Sequence, residues 1–168
     1  MVLVGVDGSY TRTGLTVLDD VARTINMYAL ESVIGEKTFP NHYRAARVIS
    51  DGVLKKVPEG ELIKVIIEEP FPGGEYSPGL YCLDTLIISA LISERMVVEV
   101  YSMHTSWLGH IFMTRNHTKT DSVKLAKEII AVFVASGYSV PRTRITHDEA
   151  ESLLFTSRLF VLNNECVS

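Results

Sequence analysis

Apolar residues in this chain come in short unbroken runs and in longer stretches that recur every three or four positions. Residues 1–6 form a valine-rich run, the pattern of a strand covered on both faces. Asp7-Gly8-Ser9 supplies turn chemistry, and Gly14 to Leu18 resumes the apolar pattern after a tight loop carrying Thr11, Arg12 and Thr13. A third strand is expected within 26–34, with Tyr28, Leu30 and Val33 as inward residues. Helical periodicity follows at 41–56, in Ala45, Val48, Ile49, Val53 and Leu54, and Pro58-Glu59-Gly60 stops it. Residues 62–67 read as another buried strand running into Glu68-Glu69-Pro70, and 71–76 as a surface loop that displays Phe71 and Tyr76 among glycines.

Ser77-Pro78 sets a capping serine before a proline at the first helical position. The helix it opens, to about residue 95, is apolar almost all round, through Leu80, Cys82, Leu83, Leu86, Ile87, Ile88, Leu91 and Ile92. Such a helix is either enclosed within one chain or shared with a second copy, and sharing is the reading taken. A strand at 96–101, a segment containing Trp107, a polar loop at 114–120 and helices at 121–136 and 147–160 complete the order, with Gly137 closing the first of that pair. No repeat, low-complexity tract or linker interrupts the chain, so 1–168 reads as one α/β domain, a mixed sheet with helices packed on it.

A length of 168 residues, 46% of them hydrophobic and 21% charged, suits one domain with a real core. Asp7 breaks the N-terminal apolar run well short of the roughly 18 residues of a membrane span. That run also lacks the basic flank and small-residue cleavage site of a signal peptide, and two distant cysteines make no disulfide framework. The expected setting is a reducing cytoplasm, bacterial or that of a phage-infected host, with no membrane partner. A net charge of −4 identifies no partner: a local basic surface can bind phosphate, and cations can offset clustered carboxylates.

The chemistry lies in acidic residues at element ends. Asp7 closes the first strand, where a carboxylate is costly to bury unless it is paired, hydrogen-bonded or metal-bound; alone it reads equally as a turn aspartate. Glu68 and Glu69 close the later strand, and alternation across a sheet lets only one of them share the face of Asp7. Thr146-His147-Asp148-Glu149 is a capping box that gives Glu149 a structural task, while Asp148 and Glu151, three apart, project from one helical face. Asp148 could simply favour the helix dipole; Glu151, set above Leu154 and Phe155, has less excuse. Hard oxygen donors without Cys/His spacing favour Mg²⁺ or Mn²⁺ over zinc, and two such ions can clamp the attacking and leaving oxygens of a phosphodiester.

These residues resemble the RuvC-type Holliday junction resolvases of the RNase H-like superfamily, in order and over nearly the whole chain. Val4-Gly5-Val6-Asp7-Gly8-Ser9 with Thr13-Gly14 resembles the family's first-strand motif, without the proline that usually follows the aspartate. Ile66-Ile67-Glu68-Glu69-Pro70-Phe71 is similar to the second acidic strand, and implies Glu68 as a metal ligand and Phe71 as an aromatic against junction bases. His147 to Leu153 resembles the terminal helix motif, with Glu151 in place of the more usual aspartate and His147 beside it as a substitute ligand. The resemblance implies an RNase H-like fold with a five-stranded mixed sheet, and a homodimer to which the 77–95 helix contributes. It also implies Mg²⁺-dependent, paired nicking of four-way DNA junctions by a metal-activated water, with Asp7, Glu68, Asp148 and Glu151 holding two ions and Asp7 shared between them.

For DNA, Arg115, Lys119, Lys124 and Lys127 fall on one loop and the helix it enters, and Arg142 and Arg144 precede the last helix. Each group can neutralise phosphates or be ordinary solvated charge. Phe71 and Tyr76 are the stacking candidates, whereas Trp107 reads as core. The Asp7–Gly14 segment also resembles the phosphate loop of actin-like sugar kinases, a fold needing about twice this length. The remaining alternatives keep the fold: a nuclease for flaps or other branched nucleic acids, or a non-catalytic module that binds branched DNA.

Overall fold

The computed structural model describes residues 1–9, 11–31, 38–69, 77–94, 97–104, 118–142 and 144–165. Five strands, β1 (Val2–Asp7), β2 (Arg12–Asp19), β3 (Thr24–Glu31), β4 (Ile63–Glu69) and β5 (Val97–His104), form one sheet in the order β3-β2-β1-β4-β5. β1 pairs antiparallel with β2, and β2 with β3, whereas β1–β4 and β4–β5 are parallel. The parallel pairs need crossovers, supplied by α1 (Phe39–Leu54) before β4 and α2 (Ser77–Ser93) before β5; α3 (Lys119–Ala135) and α4 (His147–Glu165) follow. None of the described helices is long and apolar enough to cross a membrane.

Alternation along β1 sorts the core into two layers. Val2, Val4 and Val6 lie with Ile63, Val65 and Ile67 against α1 and α2, where Ile49, Val53, Leu83, Ile87 and Leu91 meet them. Leu3 and Ile66 belong to the opposite layer, with Leu153, Leu154 and Phe155 of α4 and Ile130 and Phe133 of α3. The apolar α2 is thus seated in its own chain along Leu83, Ile87 and Leu91, while Tyr81 and Ile92 stay exposed.

Element boundaries move for local reasons. α1 starts two residues before its periodicity, because Pro40 is tolerated in a first turn. α3 likewise starts at Lys119, since Thr118 and Asp121 form a reciprocal capping box there. Gly137 closes α3 at φ 88°. β3 starts at Thr24, so Ile25 and Met27 are its most buried residues; Tyr28 and Leu30 are partly buried on the other face, and Val33 lies outside the described residues. β4 runs on through Glu68 and Glu69, and β5 through His104.

Two glycines let α4 lie unusually close to the sheet. A Cβ on Gly5 would overlap Thr156 Oγ1 and the Ser152 carbonyl, and one on Gly14 would overlap the Asp148 carbonyl. Ser152 Oγ and Thr16 Oγ1 then meet at 2.8 Å, both fully buried. Gly14→Ala cannot relieve its clash by a rotamer change, because its obstacle is backbone. The substitution should cost at least about 3 kcal/mol in urea denaturation and shift the start of α4 away from the sheet.

Candidate active site

Asp7 and Glu68 share a face by strand parity: Leu3 and Ile66 mark that face on β1 and β4, and Val6 pairs with Ile67. The two carboxyl groups are hydrogen-bonded to one another. Asp7 is 7% exposed. Burial pushes its carboxyl well above the ordinary carboxylate range, and the charges of Glu68 and Glu151, the hydrogen bond to Glu68 and then the charge of Asp148 push the same way. Glu68 is also raised, first by burial; the hydrogen bond from Asp7 opposes that rise and the charge of Glu151 adds to it. The hydrogen bond between them raises Asp7 and lowers Glu68, so Asp7 is the partner pushed further toward its protonated form. Only the backbone of Glu69 is described.

The first turn of α4 faces this pair across the gap that Gly14 keeps narrow. Its capping box is formed: Thr146 N–H and Oγ1 donate to Glu149 Oε2 at 2.7 and 2.9 Å, and Glu149 N–H donates to Thr146 Oγ1 at 3.4 Å. Glu149 is fully buried, and Arg142 Nη1 reaches its other oxygen at 2.7 Å. Asp148 and Glu151 are left to the cleft. His147 touches both, through Nδ1 at 3.0 Å from Asp148 Oδ1 and Nε2 at 3.6 Å from Glu151 Oε2. Two further partners escaped the sequence reading. Arg12 Nε of β2 stands 3.6 Å from Asp148 Oδ2, and buried Ser122 of α3 donates to Glu151 Oε1 at 3.2 Å.

A fifth carboxylate, also absent from the sequence reading, approaches from the opposite face of the sheet. Asp84 of α2 is 8% exposed, and its Oδ1 is buried without a hydrogen-bond partner. It lies over the backbone just past β1, 2.9 Å from where a side chain on Gly8 would begin. Burial first, then the charge of Glu68, push its carboxyl up to about 7. Its signal in the sequence was a single acidic residue beside Leu83 in an apolar helix.

The donor set fits hard divalent cations: carboxylate oxygens only, crowded enough to retain a proton when nothing else offsets their charge. As placed, no three acidic, His or Cys side chains among the described residues form a ready coordination group. Asp7 is tied to Glu68, Glu151 to Ser122, and Asp148 to His147 and Arg12.

Of the DNA-contact candidates, Phe71, Tyr76 and Arg115 lie outside the described residues. Lys119, Lys124, Lys127 and Arg144 are exposed, and Arg142 is half exposed with its guanidinium on Glu149.

The buried acids make cation-free stability depend on pH. Asp84 titrates near 3.8 in the unfolded chain and near 7 in the folded one, so the folded state keeps a proton that the unfolded state has lost. That contribution is complete below the lower value and disappears as pH rises through the upper one. In EDTA, Asp84→Asn should gain on the parent as pH rises from 4 to 8, melting roughly 5 to 10 °C higher at the alkaline end, as read by calorimetry.

No protein-family model matches the sequence, and no curated protein matches it. Solved structures do. Thermus thermophilus RuvC is similar with a TM-score of 0.63 at 15% identity, over 95% of this chain and 97% of that one. T. thermophilus RuvC in complex with Holliday junction substrate is similar with a TM-score of 0.57 at 18% identity, over 93% and 90%. The yeast mitochondrial Holliday junction resolvase Ydc2 gives 0.59 at 10% identity, over 92% of this chain and 75% of that one. The sheet order, the flanking helices and these likenesses together show that this chain has the RNase H-like α/β fold of the RuvC resolvases.

Proposed function

We propose that this protein is a divalent-cation-dependent endonuclease that resolves four-way DNA junctions by paired nicks. One observation carries the reading: Asp7, the most buried of the four acids predicted for the site, is pushed up first by its burial and then by Glu68, Glu151 and Asp148, so carboxylates from two strands and one helix act on one buried group. The likeness to junction resolvases supports the choice of substrate.

Asp7, Glu68, Asp148 and Glu151 would hold Mg²⁺, with Mn²⁺ as a substitute and two ions per site. When bound, such ions lower the pKa of water and offset charge on a scissile phosphate. Because burial and neighbouring charge push Asp7 toward its protonated form, a cation would compete with protons there and affinity would rise with pH. His147, Ser122 and Arg12 hold the helix-borne carboxylates in place beforehand. Lys119 stands one turn before Ser122 and Arg144 just before the α4 cap, so both can bind phosphates beside the cleft, with Arg142, Arg115 and the aromatics Phe71 and Tyr76 as further contacts. A homodimer across the outer side of α2, where Tyr81 and Ile92 are exposed, would set two sites for paired cuts in the cytoplasm where such DNA is processed.

Labelled four-way junction, flap and linear duplex, each with and without Mg²⁺, test the reading. Symmetrical nicks should appear in the junction alone, and Asp7→Asn should slow them by on the order of a hundred- to a thousandfold. Tight junction binding without cleavage in Mg²⁺ or Mn²⁺ would leave a binding module, and equal cutting of flaps would leave a general branched-DNA nuclease. Sedimentation at micromolar concentration should show a dimer that Ile92→Asp converts to monomer while the far-UV circular dichroism is retained.

A further inference from the structure

The acids assigned to the cation site come from one layer of the sandwich, yet the other layer contributes Asp84. Its helix is otherwise apolar along this face, with Leu83, Ile87 and Leu91 fully buried. A buried carboxylate oxygen without a partner is strongly unfavourable, and Asp84 Oδ1 has none among the described residues. Arg12 and His147 are directed to Asp148 and Glu151. What does face Asp84 is acidic: the charge of Glu68 reaches it. Gly8 lies against this carboxylate, where the missing side chain leaves Asp84 Oδ1 in direct reach of the backbone beside Asp7, 2.9 Å from the position a Cβ would take. An unpaired anion turned toward other anions, across a glycine at the strand end, is arranged for a cation and its water rather than for the fold.

We propose that Asp84 is a fifth carboxylate of the divalent-cation site, entered from the α2 side of the sheet, and that its Oδ1 accepts a hydrogen bond from the hydration water of Mg²⁺ or Mn²⁺. The inference rests on the reading of Asp7, Glu68, Asp148 and Glu151 as cation ligands. Hard cations of this class keep several waters when protein-bound, and carboxylates that hold those waters tune affinity.

The test is Mn²⁺ binding to the full chain without DNA, by titration calorimetry and electron paramagnetic resonance, for the parent, Asp84→Asn and Asp7→Asn. Asp84→Asn should bind Mn²⁺ roughly 10- to 100-fold more weakly while its cation-free melting temperature at pH 8 is no lower than the parent's. Parent-like Mn²⁺ affinity in Asp84→Asn, with binding abolished in Asp7→Asn, would overturn the role of Asp84 and leave the cation site standing. No Mn²⁺ binding by the parent, or undiminished binding by Asp7→Asn, would overturn both. If Asp84→Asn does not fold, Asp84→Ser, which leaves room for a water, replaces it; failure of both to fold assigns Asp84 to the fold and rejects the inference.

Discussion

The close seating of α4 on β1 and β2 is the constraint on which the rest depends. Gly5 and Gly14 remove side-chain atoms that would hold the helix off the sheet, and the Thr16–Ser152 contact joins the two at this height. An ordinary helix-on-sheet spacing would leave Asp148 and Glu151 too far from Asp7 for their charges to matter to it. At this spacing both raise it. A packing feature in the middle of the domain thus sets the electrostatics at its edge.

That edge is held against its own repulsion. Four acidic side chains lie at the ends of two strands and the start of α4, with Asp84 of mid-α2 near them from the other face, and Asp7, Glu68 and Asp84 are pushed up mainly by burial. The fold responds in two ways. Some groups are given hydrogen-bonding neighbours, as Ser122 and His147 are to Glu151; others are pushed toward their protonated form, as Asp7 is beside Glu68. Concentrating charge in this way costs stability, which proteins accept where a site needs it. Glu149 shows the contrast: more deeply buried than Asp148 and Glu151 in the same stretch of helix, it is satisfied by Thr146 and Arg142 and serves the fold.

Much of this was legible in the residues. Unbroken and alternating apolar runs marked all five strands, and the capping box separated Glu149 from Glu151 before any coordinates. Alternation in a strand, with its period of two, allowed only one of Glu68 and Glu69 onto the face of Asp7, the resemblance pointed to Glu68, and the β1–β4 register places it there. Boundaries were less legible: β4 and β5 continue past their apolar runs because parallel pairing, not hydrophobicity, keeps a strand going.

Sequence by itself determined the element order and which acids stand at the strand ends and the helix start, and it suggested the kind of ion that such oxygens suit. Only the tertiary structure decided which distant residues serve them. Arg12, Ser122 and Asp84 sit on three elements whose local patterns give no hint of an acidic partner, since proximity between elements is set by sheet order and packing distance. The same holds for the glycines: a residue without a side chain carries no pattern of its own, and its meaning at positions 5 and 14 is supplied by the helix lying against it.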